Sequence, residues 1–114
     1  MKRFKASNVK GAIEYFQQAA DIEPRRGQFM AYLWYAKYLS MPETTWQKAV
    51  EEMHAAEKID PRNDLLPFFA GEILRARGEN AKAEDAYKRA FKANPENKKA
   101  QDLAREMARG AKRR

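Results

Sequence analysis

One spaced pattern occurs three times in this chain and restricts its fold more than any other feature. It reads alanine, three residues, a large side chain, two residues, alanine, four residues, proline. The copies are Ala12, Phe16, Ala19, Pro24; then Ala49, Met53, Ala56, Pro61; then Ala83, Tyr87, Ala90, Pro95. The prolines fall 37 and then 34 residues apart. Spacings of four and three put the two alanines and the large residue on one face of a helix. The alanines let a neighbouring backbone come close, and the large residue fills the space between helices. The proline ends the helix, because it cannot continue the backbone hydrogen-bond ladder. A period near 34 built this way marks an array of stacked helical units, none of which can bury its own apolar face alone.

The remaining punctuation fits six helices. Residues 8–23 form the first, with Asn8 as its cap and Ile13, Phe16, Ala20 and Ile22 as an apolar stripe. Residues 28–40 form an aromatic-rich second helix, and Met41-Pro42-Glu43-Thr44 breaks the chain. Thr44 or Thr45 caps a third, ending at Ile59 before Asp60-Pro61. A fourth covers residues 64–77, with Pro67 tolerated in its first turn and Gly78 closing it in a left-handed conformation. A fifth runs from Asn80 to Lys92 or Ala93, and a sixth covers residues 97–109 after Asn94-Pro95-Glu96-Asn97. Nothing alternates with period two, so no sheet is expected.

Together these residues resemble the tetratricopeptide repeat (TPR) family, whose second helix carries alanine, a large residue, alanine and proline at these separations. All three copies match it. The family's first-helix pattern is met by Tyr32, Tyr35, Ala36 and Leu39 in the middle unit and by Pro67, Ala70, Gly71 and Leu74 in the last, with Gly78 at the usual inter-helix glycine. Pro67 departs from the family's aromatic there, and the middle unit is three residues too long, around Gly27 and Met41-Pro42. The resemblance implies an all-α fold, a right-handed superhelix of antiparallel helix pairs with a C-terminal capping helix. It divides one domain, 1–114, into a truncated first repeat (1–26), a second (27–62), a third (63–96), and a capping helix with a basic tail (97–114). Residues 1–6 read as the tail of a first helix whose beginning precedes Met1, so the opening unit is expected to be half a repeat.

Composition narrows the chemistry. The chain has 114 residues, enough for one modest core, and contains no cysteine, which excludes disulfides, thiolate metal sites and cysteine nucleophiles. The lack of cysteine fits a reducing compartment, and a cytoplasmic location is the expectation. The net charge of +7 gathers at the ends, in Lys2, Arg3, Lys5 and Lys10 and in Arg105, Arg109, Lys112, Arg113 and Arg114. Such ends serve solubility more often than they hold nucleic acid or a membrane surface. The single histidine, His54, makes no metal site by itself, and Glu51-Glu52 and Glu84-Asp85 read as solvated pairs. There is no phosphate loop and no nucleophile motif. No catalytic residue, metal or cofactor is expected.

The resemblance also implies which face works. First helices of each pair line the concave side of such arrays, and that side takes an extended peptide or a partner helix. The corresponding positions are Met30, Leu33, Trp34 and Lys37 in the middle unit and Leu65, Phe68, Phe69, Glu72 and Arg75 in the last. Most are large and apolar, and Trp34, Phe68 and Phe69 are expected to converge on one surface. Tyr32, Tyr35, Ala36 and Leu39 are expected to fill the packing face. Packing alone is the competing account of these rings. The family's clamp for a chaperone-tail carboxylate is not expected, because Leu65 and Phe69 stand where its basic pair would be. The expected function is a non-catalytic protein-interaction module with a protein or peptide partner. Self-association through the open N-terminal repeat is the alternative, and a basic scaffold for nucleic acid or membrane is a weaker third.

Overall fold

The computed structural model describes the backbone of residues 6–112 and the side chains of residues 9–110. The expected opening-helix tail at residues 1–5 and the basic residues Lys2, Arg3, Lys5, Arg113 and Arg114 lie outside the described residues. The described chain forms α1 (Ala6–Ile22), α2 (Gly27–Ser40), α3 (Pro42–Ile59), α4 (Leu65–Ala76), α5 (Asn80–Ala93) and α6 (Lys98–Lys112), with no strand among them. Asn8 lies inside α1 instead of capping it. No helix among the described residues is long and apolar enough to cross a membrane.

Local chemistry sets the boundaries. Gly78 has a φ of 79°, which costs glycine nothing. Its N–H donates to the Arg75 carbonyl at 3.1 Å and that of Glu79 to the Leu74 carbonyl at 2.9 Å, which satisfies the last carbonyls of α4. Two side-chain ties recur one repeat apart. Asp60 accepts the Gly27 N–H at 2.9 Å, and Asp64 accepts from the Asn97 amide at 2.8 Å. Gly27 lets the chain segments approach closely there: a Cβ would fall 2.6 Å from Leu66 Cδ1 and 3.2 Å from Asp60 Cβ, so the Leu66 side chain would have to shift.

The middle unit departs from expectation. Pro42 is the first residue of α3, a position proline favours, so the break shrinks to Met41 and Thr44 and Thr45 lie inside the helix. The link from α2 to α3 is thus one residue, against three between α4 and α5. In an antiparallel pair a shorter link moves the contact towards the far end of the partner. Ala31, not Ala36, therefore joins the cluster of Ala49, Met53 and Ala56, while Tyr32 (37% exposed) and Leu39 (41%) turn outward. Of the expected packing face of α2, Ala36 is buried and Tyr35 packs against the core, so the correction concerns Tyr32 and Leu39.

Each helix packs on the next, and α2 also packs on α4, so these two form the inner layer of the curve. One core cluster lies among α2, α3 and α4 and includes Met53, Leu66 and Ile73; another joins α4, α5 and α6 around Tyr87 and Leu103. The pattern alanines Ala49, Ala83 and Ala90 are fully buried, and Ala56 is buried. Their α1 counterparts, Ala12 and Ala19, are only half-buried.

Candidate binding surface

Aromatic residues of the inner helices α2 and α4 join rings of α1 and α5 in a continuous run. Tyr15 meets Phe16 at 5.3 Å between ring centroids, and Phe16 stacks on Tyr32 of α2 at 5.2 Å. Tyr32 meets Phe69 of α4 at 5.8 Å, and Tyr35 stacks on the same Phe69 at 4.8 Å. Phe69 leads to Phe68 at 6.2 Å and Phe68 to Tyr87 of α5 at 5.8 Å. All these separations are those of favourable ring pairs. Tyr15 and Tyr32 are exposed; Phe16, Tyr35, Phe68 and Phe69 are half-buried; Tyr87 is fully buried and anchors the run.

The polar floor lies beside it. The Tyr87 hydroxyl donates to Glu72 at 2.5 Å, and Arg75 pairs with the same carboxylate at 3.4 Å. Burial and the Glu72 bond hold the Tyr87 phenol well above its ordinary range. Burial chiefly, then the Glu72 carboxylate and Tyr38, raise the Tyr35 phenol. Both hydroxyls therefore remain neutral donors across the physiological range. Lys99 of α6 stands 6.0 Å from the Phe68 ring, at the edge of cation–π range.

Of the positions expected to face a groove, Phe68, Phe69, Glu72 and Arg75 come together here. Leu65 is half-buried against the core. The α2 positions do not join them. Leu33 is 2% exposed and lies inside the core, so it cannot line a surface. Trp34 and Lys37 border a hollow of about 380 Å³ with Ile13 of α1 and Met41, Thr44 and Thr45 on the α3 side. Lys37 caps the Trp34 ring at 4.2 Å, and the Trp34 Nε1 is sealed without a partner. Met30, one turn before Trp34 on the same stripe, packs against the core. Trp34 therefore does not converge with Phe68 and Phe69; the shift of α2 turns it away and brings Tyr32 and Tyr35 in. The Tyr32, Tyr35, Leu39 spacing was the signal for this second stripe, visible only once the contact register of α2 is known.

A hollow of about 650 Å³ lies on the outer layer between α3 and α5, bordered by Trp46, Val50, His54, Leu74, Asp85 and Arg89. Arg89 is held there by Glu57 at 3.1 Å and by Asp85, so its charge is already matched. His54 is exposed, with Nδ1 3.8 Å from Glu57. Among the described residues no three His, Cys, Asp or Glu side chains gather as metal ligands do.

No family model and no curated protein matches the chain in sequence. Solved structures do match it in shape. The first TPR of Spaghetti (RPAP3) bound to the HSP90 peptide SRMEEVD superposes with a TM-score of 0.75 at 15% identity, covering 92% of this chain and 83% of that one. The first TPR domain of human RPAP3 gives 0.73 at 16% identity, covering 90% and 79%. The Yersinia enterocolitica type III secretion chaperone SycD, in complex with a peptide of the translocator YopD, gives 0.72 at 19% identity, covering 93% and 84%. With the repeated Ala-large-Ala-Pro motif, the six stacked helices and these superpositions, the chain has the fold of a tetratricopeptide repeat domain.

Proposed function

We propose that this chain is a non-catalytic interaction module that holds an apolar peptide, or the apolar face of a partner helix, against the ring run of α2 and α4. The observation that carries the proposal is the Tyr32, Phe69 and Tyr35 cluster. These rings come from inner helices of adjacent repeats, and Tyr32 stays exposed beside half-buried Phe16 and Phe69. Contiguous apolar surface of this kind is uncommon on a protein without a partner for it. Two of the structural neighbours hold peptides, RPAP3 that of HSP90 and SycD that of YopD. They support the class of function and leave the partner open.

Fully burying a Phe-sized side chain contributes about 1.5–3 kcal/mol, so covering the exposed part of four such rings contributes on the order of 4 kcal/mol. Backbone and rim contacts add to this and the cost of association is deducted from it, so weak affinity is expected. The rings would act as anchors, and recognition would follow the helix-in-groove or extended-peptide mode. The experiment is a selection from a random-peptide display library, followed by titration of the best binder at low and high salt. Apolar anchoring predicts affinity nearly independent of salt, lowered about 30-fold by Phe69→Ala and unchanged by Arg105→Glu with Arg109→Glu. Affinity that collapses with salt and with the α6 charge reversals would replace this reading with a basic scaffold.

A further inference from the structure

The repeats of this molecule supply a template for a face that α1 leaves uncovered. On α3 and α5 the pattern alanines Ala49, Ala56, Ala83 and Ala90 are buried, on helices that pack against the first-type helices α2 and α4. On α1 the equivalent Ala12 and Ala19 are half-buried, and Tyr15 between them is 62% exposed; Ile22 at the helix end is 79% exposed, as its α3 counterpart Ile59 is at 61%. Ala12, Tyr15, Ala19 and Ile22 follow one another at steps of three, four and three. That is the a/d seam of a coiled coil, apolar at every position. Small and large residues alternate along it. Run antiparallel against itself about the level of Gln17, the seam places Ala12 opposite Ile22 of the other copy and Tyr15 opposite Ala19. Run parallel, it would oppose Ala to Ala and Tyr to Tyr, leaving voids beside clashes. The molecule already uses such a fit internally, where the Tyr87 ring lies on Gly71 so closely that a Cβ there would be 2.7 Å away. Gly11 and Gln18 flank the seam on one side and Phe16 on the other, so no like charges face each other across the axis.

We infer that two copies of this chain pair antiparallel through α1, with Ala12, Tyr15, Ala19 and Ile22 as the interlocking seam. The contact is one helix per copy, roughly 25 Å long, so the pairing is weak and governed by concentration. It adjoins the peptide surface proposed above through Tyr15 and Phe16, whereas Phe69 and Tyr35, which carry that surface, lie on other helices.

Sedimentation velocity of the full chain over a concentration series tests the inference. The mass is expected to rise from one chain to two through the micromolar range. Tyr15→Glu and Ile22→Glu should each remain monomeric throughout with unchanged circular dichroism, since both side chains are exposed. Orientation is read by cysteine linkage, free of background because the chain has no cysteine. Under mild oxidation Gln18→Cys, next to the axis, should form a linked dimer. Gly11→Cys should not, since its two copies would stand roughly 20 Å apart in the antiparallel arrangement. The inference is overturned if the unmodified chain stays monomeric at every concentration, as it would if another segment or partner covers the seam. It is equally overturned if dimers persist in both Glu variants, or if Gly11→Cys links as readily as Gln18→Cys.

Discussion

Replacing Gly71 by alanine sets two known effects against each other. Within a helix alanine is favoured over glycine by about 1 kcal/mol, so on propensity alone Gly71→Ala should stabilise α4. The new Cβ, however, would fall 2.7, 2.8 and 3.1 Å from three ring carbons of Tyr87. That ring cannot yield easily. It is fully buried, and its hydroxyl is held by Glu72 at 2.5 Å. Forcing a methyl group into a packed core costs about 1–3 kcal/mol, so a net loss of about 1–2 kcal/mol is expected. Urea unfolding followed by circular dichroism measures it, and a loss of several degrees in melting temperature should accompany it. The cause is isolated by repeating the change in a Tyr87→Leu background, where the ring is gone. There Gly71→Ala should be neutral or stabilising, giving a coupling energy of about 2 kcal/mol between the two sites. A stabilising Gly71→Ala in the unmodified chain would refute the close α4–α5 approach on which the repeat geometry rests.

The other expectations follow from the same packing. Ala49→Leu and Ala83→Leu should each cost about 1–3 kcal/mol in chemical unfolding, whereas Ala12→Leu, at the half-buried copy of the same position, should cost under about 0.5 kcal/mol. The Tyr87 and Tyr35 phenols are raised above their ordinary 10.0 in the folded state. The unfolded chain therefore loses those protons first. Their contribution is complete below about pH 10 and declines as pH rises beyond it, at up to about 1.4 kcal/mol per pH unit for each phenol. Tyr87→Phe should flatten that alkaline decline in thermal melts, while costing about 1 kcal/mol at neutral pH because Glu72 loses its donor. Asp60→Ala, which removes the tie to the Gly27 N–H, should cost about 1 kcal/mol and speed hydrogen exchange at the start of α2.

Much of the fold was legible because its signals are local. The three alanine pairs lie on helix faces at the expected spacing, and Gly78 takes the left-handed conformation that ends α4. The candidate surface was legible only where the repeat kept its register. In the last unit Phe68, Phe69, Glu72 and Arg75, the positions the family resemblance implies, lie close together. In the middle unit the one-residue link at Met41 moves the contact along α2, which is a property of the antiparallel pair and not of any stretch of sequence. In this register Leu33 lies in the core and Trp34 borders a separate hollow with α1 and α3, apart from the rings of α4. Tyr32 and Tyr35 then take the inner face. Their own spacing fits a core stripe equally well, so nothing local distinguished the two uses.

The inner rings, and not the outer hollow between α3 and α5, are expected to receive the partner. Aromatic side-chain NMR during titration with a display-selected peptide tests this most directly. Resonances of Tyr32, Tyr35 and Phe69 should shift together with peptide concentration, while those of Trp46 and His54 stay in place. Shifts centred on Trp46 and His54, with the inner rings unmoved, would contradict it.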